Sequence, residues 1–152
     1  MRNETLLRAL QESMRKLTEN GINGATSIAQ LRDKGEQARL AIETAMMQQS
    51  EAARAHEQIA KEAKALCDHV SELARLRADP VLISTLEDEL KDLDRQERET
   101  KQQAEALGAR VLALGGSLET VKTELGASEE AHRRLTDQTM KLREHIEKVA
   151  HV

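Results

Sequence analysis

From residue 83 onward, seam positions recur at alternating spacings of three and four over the rest of the chain. They run Ile83, Leu86, Leu90, Leu93, Glu97, Thr100, Ala104, Leu107, Val111, Leu114, Leu118, Val121, Leu125, Ser128, His132, Leu135, Thr139, Leu142, Ile146 and Val149. Most are aliphatic, and apart from Thr139 the exceptions cluster at Glu97 to Thr100 and Ser128 to His132. A 3.5-residue repeat sustained this far brings one narrow stripe of a helix repeatedly to the same side, so the pattern predicts a left-handed coiled-coil arm over 84–152. At about 1.5 Å per residue such an arm reaches roughly 100 Å if unbroken.

The residues before it carry a weaker version of the same rhythm. Over 6–66 a 3-4 register passes through Leu10, Ser13, Leu17, Asn20, Gly24, Ser27, Leu31, Lys34, Ala38, Ala41, Ala45, Gln48, Ala52, Ala55 and Ile59. Small residues dominate this seam. Alanine favours helix but buries little, and Gly21, Gly24 and Gly35 each cost about 1 kcal/mol in a helix interior. This first arm is expected to need a partner, either the second arm or another chain.

Pro80 divides the two arms, because it disfavours helix at Asp79 and lacks the N–H that a helix already under way requires. Residues 67–83 are therefore expected to form a connector. Ser84 and Glu87 are spaced as a reciprocal capping box that starts the second arm. The fold class that follows is all-α: two long helical arms forming a coiled-coil hairpin or contributing to a multi-helix bundle. An antiparallel hairpin turning near Asp79-Pro80 is the simpler geometry for the isolated chain.

Composition sharpens the picture. The 152 residues include no Phe, Tyr or Trp, with 39% hydrophobic and 33% charged residues and a mean hydropathy of -0.61. A conventional globular core draws on aromatic area, so aliphatic seams between helices are the expected alternative. The net charge of -4 is mixed in sign along the chain. There is no basic stripe for a phosphate backbone and no aromatic ring for base stacking, which argues against nucleic acid. No window approaches the roughly 18 uncharged apolar residues needed to span a bilayer, and the N-terminus lacks a signal-peptide apolar core. A cytoplasmic location is expected, with at most peripheral contact with membranes. The single cysteine, Cys67, has no internal disulfide partner.

The stretch from Gly24 through Ser27, Leu31, Lys34, Gly35 and Glu36 to Gln37 resembles the first SNARE motif of the Qbc SNAREs, the synaptosome-associated-protein branch that carries two such motifs in one chain. The second arm is similar to that family's second motif from Leu107 through Leu112, Leu114, Gly115, Leu118, Glu119 and Thr120 to Leu125. The resemblance covers about 10–66 and 104–149. It implies helices contributed to a four-helix membrane-trafficking or fusion bundle, with syntaxin-type and vesicle-type SNARE helices as partners. It departs at the central layer, where the family places glutamine and this chain has Lys34 and Val121. A buried lysine there would face the arginine of a vesicle helix as a like charge. The departure points to a divergent or regulatory member. Cys67 falls close to where the family begins its acylated cysteines, which makes it a candidate acylation site.

Catalytic and cofactor motifs are not found. The five histidines, His56, His69, His132, His145 and His151, lack ligand spacing and read as solvated helix residues. His132 is distinguished by its seam position, where it could form a pH-sensitive polar layer. Gly115-Gly116 lacks the Gly-Lys-Ser/Thr of a phosphate loop and reads as a hinge or a local weakness. The expectation is a non-enzymatic interaction protein with no cofactor and no metal. The residues expected to contact partner helices are Leu17, Leu31, Lys34, Leu107, Val111, Leu114, Leu118, Val121, Leu125, Leu135, Leu142 and Ile146. The alternative to a SNARE-like role is a structural coiled-coil subunit of a cytoskeletal, kinetochore or tethering assembly, pairing with itself or with another helical protein.

Overall fold

The computed structural model describes residues 2–151, which form two helices and the turn between them. Helix α1 spans Arg2–Arg75 and helix α2 spans Pro80–Ala150. The all-α two-helix hairpin expected from the paired seams is the fold observed. Both helices are rich in residues that lose little freedom in a helix, and the β-branched and polar residues that favour other conformations are scattered. The hydroxyls of Thr18, Thr26, Thr44, Thr85, Thr100, Thr120, Thr123, Thr136 and Thr139 bond the carbonyl one turn back, so these side chains do not compete with the helix.

The helix boundaries correct the expected connector. Residues 67–75 belong to α1 and 80–83 to α2, so the non-helical link shrinks to 76–79. Helix α1 ends in paired capping bonds: the Ala78 N–H donates to the Leu73 carbonyl at 3.0 Å and the Arg77 N–H to the Ala74 carbonyl at 3.1 Å. This is the Schellman arrangement, which requires a left-handed residue just past the helix end. Arg77 supplies it with φ 55°, a conformation that usually falls to glycine.

Helix α2 starts from Asp79, not from Ser84. The Asp79 carboxylate accepts the Val81 N–H at 3.0 Å, and its carbonyl accepts the Ile83 N–H at 3.1 Å. Proline is well tolerated at the first helical position, where its missing N–H would have had no partner. Asp79-Pro80 therefore begins a helix while interrupting the chain, and the Ser84–Glu87 pair lies inside α2.

The chain divides into two compact units. The first comprises Met1–Arg39 and Gly116–Val152, and the second Leu40–Gly115. In the first unit the site of a Cβ on Gly21 would lie beside Leu135, on Gly24 beside His132 and on Gly35 beside Val121. Each advance along α1 is matched by an equal retreat along α2, so the helices run antiparallel. In the second unit Gln49 faces Gly108 and His56 faces Glu97, again antiparallel, and the turn closes this unit. Full burial is sparse: Ile28, Ala45, Ala63 and Val70 are the buried apolar residues, and α2 has none among its described residues.

The seam of α2 is the predicted one, every position from Ile83 to Val149 being half-buried. The seam of α1 differs at its alternate positions except Ala41, which is half-buried as expected. Leu10, Leu17, Gly24, Leu31, Ala38, Ala45, Ala52 and Ile59 face inward as expected, but Ser13, Asn20, Ser27, Lys34, Gln48 and Ala55 are exposed. Their places are taken by the next residue in each case, Met14, Gly21, Ile28, Gly35, Gln49 and His56. The reason is phase: the spacing runs four then three, not three then four. A seam built of glycine and alanine offers little hydrophobic contrast to choose between them.

Candidate partner-binding surface

The seam residues expected to bind partner helices are mostly engaged within the chain itself. Leu17, Leu31, Leu107, Val111, Leu114, Leu118, Val121, Leu125, Leu135, Leu142 and Ile146 are all half-buried along the seams of α1 and α2. Lys34 is the correction, being exposed beside the seam with Gly35 in the inward position. The site of a Cβ on Gly35 would lie 3.6 Å from Val121 Cγ1. Lys34 and Val121 therefore do not share a layer in the hairpin. Cys67 is exposed on α1 with a free thiol.

Two polar layers interrupt the seam, one in each unit. In the second unit the His56 Nδ1 lies 3.1 Å from the Glu97 backbone carbonyl on the opposite helix. A carbonyl can only accept, so Nδ1 carries the proton in this bond. The Thr100 hydroxyl bonds back to the carbonyls of Gln96 and Glu97, completing the layer. The reading of His56 as a solvated residue is thus overturned: it is half-buried and bridges the helices. Nothing in its local sequence marks it, because only the corrected phase of α1 brings it inward.

In the first unit His132 occupies its predicted seam position. Its Nδ1 is buried without a hydrogen-bond partner, and the site of a Cβ on Gly24 would fall 3.3 Å from it. Ile28, Arg32, Glu129, Arg133, Thr136 and Asp137 line the groove around this ring. Arg32 reaches across the helices to Glu129 at 3.1 Å, with Arg32 exposed and Glu129 half-buried.

Other ion pairs follow the surface of a single helix. Arg15 pairs with Glu12 and Glu19, Arg39 with Glu36, Arg75 with Glu72 and Arg95 with Asp92. Hydrogen bonds from Arg15, Arg39 and Arg75 hold the carboxyls of Glu12, Glu36 and Glu72 below the usual range. These groups are fully exposed, so the pairs support the helices only weakly.

The outer faces carry exposed apolar side chains. Leu112 is 79% exposed, Val81 72% and Met47 66%, and Ile22, Leu40, Met46, Leu76 and Met140 also face outward. No group of three or more His, Cys, Asp or Glu converges as a metal would require among the described residues. None of the helices is long and apolar enough to cross a membrane, among the described residues.

What the fold and these surfaces define is a two-helix, all-α hairpin with coiled-coil spacing. No protein-family model, no curated protein and no solved structure matches this chain.

Proposed function

We propose that this chain is a non-enzymatic structural coiled coil, a subunit of a cytoskeletal, kinetochore or tethering assembly that works by presenting helical surface to other helical chains. The observation that carries this reading is antiparallel pairing of α1 and α2 within each unit. The aliphatic seam of α2 is occupied by its own chain's α1, leaving outer faces, not seams, for partners. A Qbc SNARE uses its two motifs side by side and parallel in one bundle, so it would have to open this hairpin first. The opening would expose the half-buried aliphatic residues of α2, which opposes it by roughly 25 cal/mol for each Å² of apolar surface returned to water. The Gly24 to Gln37 resemblance supports the competing SNARE-like reading, with the hairpin as its resting state.

A circular-dichroism melt separates the two. The purified chain is melted alone and after mixing with syntaxin-type and vesicle-type SNARE helices. The structural reading expects a chain already helical alone, with helicity and melting temperature unchanged by mixing. A large gain in both would overturn it in favour of the SNARE-like role.

A further inference from the structure

We propose that the closed end of the second unit docks on a phospholipid surface, with Leu76, Val81 and Leu82 entering the headgroup boundary and Arg77 held at a lipid phosphate. Leu76 is 62% exposed, Val81 72% and Leu82 46%, an apolar group gathered around the link at 76–79. None of the three belongs to a seam. Helical side chains lean toward the N-terminus of their own helix, so Val81 and Leu82, in the first turn of α2, lean toward the turn that carries Leu76. The apolar group therefore crowns the end of the unit.

The charges around this end are unevenly committed. Between Ser71 and Thr85 the charged residues are Glu72, Arg75, Arg77 and Asp79. Glu72 and Arg75 pair with each other, and the Asp79 carboxylate accepts the Val81 N–H. The Arg77 side chain is exposed, with no ion pair or hydrogen bond among the described residues. Arg77 also holds φ at 55°, where glycine would cost less. Such strain collects at binding sites, and here it presents the one uncommitted cation of the tip beside its apolar group.

Aliphatic side chains next to a lone guanidinium match the boundary of a bilayer, where acyl chains lie beneath phosphates. Shape favours the same occupant. The segment from Arg75 to Leu82 is a convex end, far short of the roughly 20–30 residues a side that a standard protein interface uses. A fluid lipid surface closes around such an end without a matching pocket. The acidic run Glu87-Asp88-Glu89 further up α2 opposes a strongly anionic surface, so apolar entry supplies most of the affinity.

Co-sedimentation of the full chain with phosphatidylcholine vesicles tests the proposal. The bound fraction should rise with lipid concentration. Leu76→Ser combined with Val81→Ser, both at exposed positions, should lower the partition coefficient at least about tenfold while circular dichroism shows the helices intact. Arg77→Gly separates binding from stability: it relieves the backbone and should raise the melting temperature, yet weaken vesicle binding severalfold. Arg77→Lys keeps the charge and should retain most of the binding. A chain that stays in the supernatant at every lipid concentration overturns the proposal and makes the tip a knob for a protein pocket instead. So does vesicle binding indifferent to the paired serine substitutions, or undiminished in Arg77→Gly. The tip lies outside both seams, so the mixing melt decides the structural coiled-coil reading separately from these outcomes.

Discussion

The two helices contribute unequally to the seam they share. Helix α2 supplies branched aliphatic residues at most seam positions, while α1 supplies glycine and alanine at many of the positions that face them. Gly21 meets Leu135 and Gly35 meets Val121, so the larger side chain occupies room that the smaller residue leaves. The shared seam is thus built largely from one side. A helix with small seam residues allows close approach but depends on its partner for apolar contact. The sharpest consequence is that substitutions on the two sides of one contact should have opposite signs.

Leu135→Ala should have the largest effect. It leaves alanine facing Gly21 in a groove that α1 lines otherwise with Leu17 and Thr18, and should cost about 2 kcal/mol in a denaturant titration followed by circular dichroism. A loss within a few tenths of zero would mean that the first unit does not depend on α2's side chains, and the inequality between the helices would fail.

The turn tests whether the seams alone set the pairing. Arg77 holds a left-handed conformation at the end of α1, and Arg77→Gly should stabilise the hairpin by about 1 kcal/mol by removing the steric penalty on its Cβ. Asp79→Ala should destabilise it by about 1 kcal/mol, because the Val81 N–H loses its acceptor. If both variants melt with the parent chain, the turn follows from the seams and contributes little of its own.

How much of this was legible follows from the same inequality. Every seam position of α2 could be read from spacing, because Leu, Val and Ile stand out against charged neighbours. In α1 the phase was lost where Gly21, Gly24 and Gly35 carry no hydrophobic signal. Met14, Ile28 and Ile42, repeating at heptad multiples, hold the signal that sets it correctly. Pro80 was legible as an interruption, but not as the first residue of α2, since that depends on Asp79 capping the helix. His56 was missed for the same reason as Gly35: its inward position follows only from the corrected phase. The exposure of Leu112 could not be read either, because heptad spacing marks the seam and says little about which outer residue remains uncovered.

Filling α1 should sharpen the contrast in the favourable direction. A Cβ on Gly21 would sit 3.9 Å from Leu135 Cδ2 and one on Gly35 would sit 3.6 Å from Val121 Cγ1, both ordinary contacts. Gly21→Ala and Gly35→Ala should each therefore stabilise by somewhat under about 1 kcal/mol, through helix propensity and reduced freedom of the unfolded chain. Additivity of the two, measured by thermal melts, would show that these contacts act independently; destabilisation by either would mean that α1 needs closer approach than the structure displays.

Gly24 should break the pattern, and its expected effect is the smallest. A Cβ there falls 3.3 Å from the unpartnered His132 Nδ1, a closer approach than at Gly21 or Gly35. The gain in helix propensity is opposed by the displacement of a ring that is held in the seam, so Gly24→Ala should change stability by no more than a few tenths of a kcal/mol. Replacing His132 with alanine removes the obstacle. In that background Gly24→Ala should recover the stabilisation of about 1 kcal/mol expected of an unobstructed helical glycine. A double-mutant cycle measures the difference directly. Coupling near zero would mean that the imidazole moves aside freely; coupling approaching the full propensity gain would show that His132 makes glycine the better residue at this point in α1.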